Sequence, residues 1–75
     1  MEDETIYCDY FASAFIGIGQ QFNTELAVYD LEKCIEVLVN DGMTYEDACE
    51  YMDFNVLGAW MGKGTPVFIR TSPTF

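Results

Sequence analysis

The dipeptide Asp41-Gly42 restricts the fold more than any other feature, because it separates two segments with helical periodicity. Glycine suits the left-handed position that follows a helix, so a helix is predicted to end here. At the other end of this segment, Asp30 is a predicted N-cap. Apolar side chains then recur at i, i+3, i+4 and i+7, the spacing of one helical face, at Leu31, Cys34, Ile35 and Leu38. The pattern predicts a helix over residues 31–41.

A second helix is predicted to begin at Thr44. Asp47 stands three residues later, which is a variant of the capping box. The apolar stripe of this helix is formed by Tyr45, Ala48, Met52, Val56 and Ala59. We expect the helix to loosen near Gly58 and to end by Gly62. Two helices joined by so short a turn predict a helical hairpin.

The segment before the hairpin is rich in aromatic and apolar residues. Residues 6–16 fit helical spacing better than strand alternation, so a helix is predicted there. Gly17 and Gly19 are predicted to end that helix. Residues 20–25 are polar and are predicted to form a loop.

Two short segments have the composition of strands. Residues 26–29 and residues 67–69 are predicted strands, and we expect them to pair antiparallel. The fold class is therefore predicted to be α+β: a small helix-rich domain in the order α-β-α-α-β, with a two-stranded antiparallel sheet against the helical hairpin. Residues 1–75 are expected to form one domain, with flexible ends at residues 1–5 and 70–75.

Charge is distributed unevenly along the chain. Thirteen acidic side chains face three basic ones, which gives a formal net charge of -10. All the acids lie in residues 1–53, whereas residues 54–75 contain Lys63, Arg70 and no acid. A field this negative repels nucleic acid and anionic membranes and favours basic protein surfaces. We expect no direct binding to nucleic acid or to a membrane.

The residue types that most active sites need are scarce. The sequence has no His, and Cys8, Cys34 and Cys49 form no Cys-x-x-Cys pair. Aligning Gly42 with the glycine of an EF-hand loop puts apolar residues at three ligand positions, so an EF-hand calcium site is excluded here. We expect no catalytic residue, no metal and no cofactor. The acidic start is unlike a secretory signal, and no apolar run is long enough to span a membrane, so a cytoplasmic protein with reduced thiols is expected.

Carboxylates recur on the predicted outer sides of both helices. We call these residues the acidic face: Glu32, Glu36, Glu46, Asp47, Glu50 and Asp53. Each pair of like charges one helical turn apart destabilises a helix by a few tenths of a kcal/mol. Lys residues placed between these carboxylates would remove that cost and would still keep the surface soluble. The acidic face is therefore a candidate for docking a basic surface or for imitating nucleic-acid phosphates; a solvated face that only confers solubility is the alternative. The predicted aromatic anchors for a partner are Tyr51, Phe54 and Trp60.

Aromatic side chains are numerous for a chain of this size. Six Phe, five Tyr and one Trp occur in 75 residues. A domain this small buries a modest share of its surface, so one core cannot hold all of these rings. Exposed rings commonly meet a partner or a second copy. A structural or assembly module that acts as a homodimer is therefore the alternative to an acidic binding protein.

Four motifs run through residues 26–69, most of the chain: YDLEKCIE, DGMT, DFNVLGAW and GKGTP. Through them the chain resembles a group of small, uncharacterised acidic proteins of bacteriophages and prophages. The resemblance implies a phage origin and a bacterial host cytoplasm. It also implies a protein that binds and blocks a host factor, such as a restriction or CRISPR component. The expected function is accordingly that of a phage-type protein that binds and modulates or inhibits a host or phage protein, in the manner of an anti-CRISPR protein or a DNA mimic, without catalysis.

Overall fold

The computed structural model describes residues 5–71. In chain order, these residues form a 3-10 helix, strands β1 and β2, helices α1 and α2, a π helix that continues α2, and strand β3. Their respective bounds are Asp9–Ala14, Phe15–Gln21, Thr24–Asp30, Leu31–Asn40, Tyr45–Tyr51, Met52–Leu57 and Val67–Ile69. The α+β class predicted from the sequence is confirmed. The predicted order of elements is wrong. Most of the residues predicted to form flexible ends lie outside the described part of the chain.

The segment before α1 contains a β-hairpin, so the prediction of a helix over residues 6–16 and a loop over residues 20–25 is wrong. Helical geometry is confined to the 3-10 helix, and β1 begins at Phe15. Periodicity cannot separate helix from strand over a short apolar run. Gly19 does not end a helix. It lies in β1, where a Cβ atom would come within 3.1 Å of Val28 Cγ2, so glycine allows the close approach of β2.

The three strands form one sheet in the order β1-β2-β3. β1 and β2 are antiparallel, and Gln21 pairs with Thr24 next to the turn that joins them. β2 and β3 are parallel, with Val28 opposite Val67, so the predicted antiparallel pairing of residues 26–29 and 67–69 is wrong. A parallel pair needs a long crossover connection, and the helices between β2 and β3 provide one.

Asp30 begins α1 as predicted. Its Oδ1 atom accepts hydrogen bonds from the backbone N–H groups of Glu32 at 2.9 Å and of Lys33 at 3.2 Å. Its Oδ2 atom accepts a third, from the hydroxyl group of Thr71 at 3.0 Å. The Asp30 side chain is buried, so these bonds provide the partners that a buried carboxylate requires. Asp30 thus joins the start of α1 to the chain beyond β3.

The turn between the helices also has the predicted geometry. Gly42 has a φ of 114°, which favours glycine, and its N–H donates to the Val39 carbonyl at 3.0 Å. Thr44 then caps α2, because its hydroxyl oxygen accepts a hydrogen bond from the Asp47 N–H at 3.1 Å. The predicted N-cap of the second helix and the predicted stop of the first are confirmed.

The second helix changes geometry sooner than predicted. α-helical hydrogen bonding ends at Tyr51, and a π helix continues as far as Leu57, just before Gly58. π helices are wider than α helices and are rare, and they occur often at functional sites. Met52 and Val56 remain buried on the inner side of this segment.

One core joins the sheet, the 3-10 helix and both α helices. The Tyr29 ring lies at its centre, 5.5 Å edge-on from Phe15 of β1 and 5.6 Å stacked on Phe68 of β3, measured between ring centroids. The Tyr29 hydroxyl oxygen accepts a hydrogen bond from the Cys8 N–H at 2.7 Å. The buried apolar residues are Phe11, Ala14, Ala27, Tyr29, Leu31, Cys34, Ile35, Leu38, Ala48, Met52 and Val56. This packing turns the outer sides of α1 and α2 towards solvent.

Candidate functional site

All six carboxylates of the acidic face are exposed. Three of them lie in the first turn of a helix, where a negative charge interacts favourably with the helix dipole: Glu32, Glu46 and Asp47. Glu36 and Glu50 lie farther along their helices, where the dipole gives no such stabilisation. Neither helix has a basic residue in its last turn. The helix dipoles therefore account for half of the acidic face and leave the other half without a local structural reason.

Two of these carboxylates border a groove between the helices. The groove has a volume of about 290 Å³ and is lined by Glu32, Ile35, Glu36, Val39, Asn40 and Tyr45. Ile35 and Val39 give it an apolar side, because Val39 is 38% exposed and Ile35 lies at the margin of the core. Carboxylates beside apolar side chains suit a basic side chain with an aliphatic stem. An Arg or Lys of a partner protein therefore matches the chemistry of this groove.

Tyr45 completes the groove from the start of α2. The pKa of Tyr45 is raised, mainly because its hydroxyl group forms a hydrogen bond with the Cys49 side chain. The negative charge of Glu32 raises this pKa further. The ring is 64% exposed. Because an aromatic ring attracts a cation over its face, Tyr45 adds a third group that favours a basic ligand. The spacing of Tyr45 predicts a place on the apolar stripe of its helix, so this role could not be recognised from the sequence.

The other four carboxylates do not line the groove. Glu46, Asp47, Glu50 and Asp53 lie on α2 and at the start of the π helix, with their side chains in solvent. The acidic face thus consists of two parts, a pair at the groove and a group of four along the second helix. The groove brings only Glu32 and Glu36 together.

The three predicted anchors are exposed to different degrees. Phe54 and Trp60 are 78% and 77% exposed, and Tyr51 is 41% exposed. Phe54 lies in the π helix between Asp53 and the buried Val56. Across residues 5–71, eight of the eleven aromatic side chains are exposed, which confirms that the core cannot hold them all. Large exposed aromatic rings are enriched in surfaces that bind proteins.

Two of the three cysteine side chains, Cys8 and Cys34, are in surroundings that suppress thiol chemistry. Cys34 is fully buried, and burial is the main cause that raises its pKa to about 12. Burial, followed by the negative charge of Asp9, also raises the pKa of Cys8. The thiolate is the nucleophilic form, so both side chains stay protonated and unreactive near neutral pH. All three cysteines are free thiols.

β1 contains none of the predicted site residues, yet its apolar side chains are unusually exposed. Ile16 and Ile18 are 50% and 47% exposed, and Phe22 at the hairpin tip is 89% exposed. Phe22 also has a φ of 55°, a left-handed conformation that side chains with a Cβ atom rarely adopt. The signal that could have found this region is the absence of charge from residues 10–24 in so acidic a chain.

No helix within residues 5–71 combines the length and the apolar character needed to cross a membrane. In the same part of the chain, no group of three or more His, Cys, Asp or Glu side chains is placed to hold a metal ion. Comparison with protein-family models, with curated proteins and with solved structures found no match.

Proposed function

We propose that this domain is a non-catalytic binding protein that modulates or inhibits another protein by docking on its basic surface. The observation that carries the proposal is the exposure of all six carboxylates of the acidic face on two adjoining helices. Lys33 is the one basic side chain in residues 32–53, so little on these helices neutralises the field. Such a field steers a basic partner towards the helices.

The groove supports a specific mode of docking. A guanidinium or ammonium group of the partner would lie between Glu32 and Glu36, over the Tyr45 ring, with its aliphatic stem on Val39. Charge-assisted hydrogen bonds of this kind are stronger than neutral ones. The four carboxylates farther along the second helix would extend the field, and Phe54 would provide an apolar contact. Exposed ion pairs contribute only about 0–1 kcal/mol each, so the aromatic contacts are expected to supply much of the affinity.

A basic surface of this kind is typical of proteins that bind nucleic acid. We therefore propose that the partner is a nucleic-acid-binding protein and that the acidic face competes with phosphates for it. The resemblance to phage proteins supports a partner among host defence proteins, such as restriction or CRISPR components, in the cytoplasm of a bacterial host. The absence of His and the protonated state of the buried Cys34 thiol support a role without catalysis.

The test is a comparison of two charge-matched double variants against a partner purified from bacterial lysate. Glu50→Lys/Asp53→Lys reverses two charges of the acidic face, and Asp9→Lys/Glu25→Lys reverses two exposed charges elsewhere. Both variants change the net charge by the same amount. In stopped-flow binding at low salt, the first variant is expected to slow association on the order of tenfold, and the second much less. The difference should shrink as salt is added, because salt screens exposed charges.

A second measurement tests the competition with nucleic acid. The wild-type protein is expected to displace duplex DNA from the partner in a gel-shift titration while binding no DNA itself. Equal association rates for the two double variants would show that the acidic face only confers solubility. Retardation of DNA by the domain alone would contradict the proposal that it imitates nucleic acid.

A further inference from the structure

The two edges of the sheet differ in how they are protected. β3 has three residues, follows Pro66 closely and precedes Arg70. Short length, proline and a charged residue are the usual devices that prevent an edge strand from pairing with another chain. β1 has seven residues and contains neither a proline nor a charged residue. Its one protective feature is a bulge between Phe15 and Gly17.

The hairpin register identifies the backbone groups that β1 leaves free. Gln21 pairs with Thr24 across the two-residue turn, so this closing pair exchanges hydrogen bonds. The backbone groups of alternate residues then point towards β2, so those of Gly17, Gly19 and Gln21 form the hydrogen bonds within the hairpin. The N–H and C=O groups of Ile18 and Gln20 point away from β2. Within residues 5–71, no strand pairs with this outer edge of β1.

We propose that the outer edge of β1 binds a second copy of this chain, strand to strand and antiparallel, about a two-fold axis at Ile18. This register places the two Ile18 residues opposite each other and Gly17 of each copy opposite Gly19 of the other. The two three-stranded sheets then form one sheet of six strands. Each copy uses its free β1 edge, and the remaining outer edges are the protected β3 strands, so the assembly closes as a dimer.

The charge distribution favours a second copy over a different partner at this edge. Two chains of net charge -10 repel each other wherever their acidic surfaces approach. Residues 10–24 carry no charge, so the β1 edge is where a second copy meets the least repulsion. It offers a partner of opposite charge nothing beyond backbone groups and apolar contact. Ile16 and Ile18 are each about half exposed, and pairing would cover apolar surface that the core leaves open.

The contact is small, so the dimer is expected to dissociate on dilution. One pair of seven-residue strands buries less than the roughly 800 Å² per partner of a standard interface. We expect a dissociation constant on the order of micromolar or weaker. Added salt should strengthen the dimer, because it screens the repulsion between two acidic chains. None of the β1 residues lines the groove of α1 and α2, so this inference does not depend on the proposed function.

The test uses two variants with the same charge change on opposite edges of the sheet. Ile18→Lys places a cation at the centre of the β1 edge, and Val67→Lys places one on β3, where the wild-type side chain is 37% exposed. Sedimentation equilibrium of both variants is compared with the wild-type protein. Ile18→Lys is expected to weaken the dimer on the order of tenfold or more, because two lysines would face each other across the axis. Val67→Lys should keep it, or tighten it slightly through the lower net charge.

Amide hydrogen exchange provides a readout that depends on the backbone and remains valid if Ile18→Lys fails to fold. In the dilute wild-type protein, the Gly19 and Gln21 amides should be protected while the Ile18 and Gln20 amides exchange freely. All four should be protected at high concentration. A wild-type protein that stays monomeric at millimolar concentration would overturn the proposal. So would open-ended polymers, a dimer equally stable in both variants, or unchanged exchange at Ile18 and Gln20.

Discussion

The helical hairpin of α1, α2 and the π helix and the β-hairpin of β1 and β2 expose opposite kinds of surface. The helices expose six carboxylates of the acidic face on their outer sides. β1 exposes Ile16 and Ile18 and contains no charged residue. On the proposals above, a basic partner would be attracted to the first surface, and a second copy would be repelled least at the second. The two contacts would then lie on different hairpins, because the acidic face lies on the helices and β1 contains no charged residue.

The two hairpins also differ in what holds them to the rest of the fold. α1 and α2 have inner sides that belong to the core, including the fully buried Cys34 and Ala48. None of the seven residues in β1 is fully buried. β1 is therefore held largely by its hydrogen bonds to β2, together with the contact of the Phe15 ring with Tyr29. Apolar side chains that the core does not use are available for contacts with another chain.

Shortening a side chain in each hairpin gives the largest expected difference between them. Met52 is 1% exposed, so Met52→Ala should lower the free energy of unfolding by about 2–5 kcal/mol, because it leaves a cavity among packed side chains. Ile18 is 47% exposed, so Ile18→Ala should cost less than about 1 kcal/mol. Urea unfolding followed by circular dichroism, at dilute protein concentration, measures both. Equal losses would show that β1 is part of the core after all.

An intermediate effect is expected at the tip of the β-hairpin. Phe22 adopts a φ of 55° with its ring in solvent. Phe22→Gly removes the Cβ atom that disfavours this conformation, whereas Phe22→Ala removes the ring and keeps the Cβ atom. The glycine variant should be more stable than the alanine variant by about 1 kcal/mol. This difference is the energetic cost of a left-handed conformation for a residue with a Cβ atom, reduced by the larger backbone entropy that glycine loses on folding. Thermal unfolding of the two variants checks this. A more stable alanine variant would mean that the turn is not left-handed at Phe22 in solution.

The sequence predicts the helical hairpin better than the β-hairpin for a physical reason. Caps and stops act locally: the Asp30, Gly42 and Thr44 signals each concern atoms a few residues away, so their effect is visible in the sequence. The β1 strand depends on pairing with β2, and Gly19 has its role through contact with Val28. Such contacts between strands are not encoded in the spacing of one segment.

In the candidate site, too, the local features could be predicted from the sequence and the contacts between elements could not. The exposure of the carboxylates follows from the periodicity of each helix, so it could be predicted one helix at a time. The groove requires the relative position of α1 and α2, and Tyr45 joined it although its spacing placed it on the apolar stripe. The free edge of β1 could not be predicted, because the spacing of residues 6–16 favours a helix.

The smallest expected effect concerns two carboxylates of the same helix, and it decides whether stability alone explains the acidic face. Glu46 lies in the first turn of α2, where its charge interacts favourably with the helix dipole, so Glu46→Lys should lose about 0.3–1 kcal/mol there. The repulsion between residue 46 and Glu50 becomes an attraction and offsets about 0.2–0.5 kcal/mol of that loss, so a small net destabilisation is expected. Glu50 lies one turn farther along, with Glu46 and Asp47 four and three residues before it and Asp53 three residues after it. Glu50→Lys turns three repulsions into attractions, each worth about 0.2–0.5 kcal/mol, and should stabilise the protein. Urea unfolding at low salt measures the change in unfolding free energy for both variants. Because the two variants have the same net charge, opposite signs of this change cannot come from the overall charge of the protein. The difference between the variants should become smaller at high salt, because salt screens exposed charges.

If Glu50→Lys stabilises the fold and also slows association with the partner, the Glu50 carboxylate is retained at a cost to stability, as expected of a binding residue. If Glu50→Lys instead destabilises the fold as much as Glu46→Lys, folding alone accounts for both carboxylates, and the apolar surfaces become the better candidates for binding.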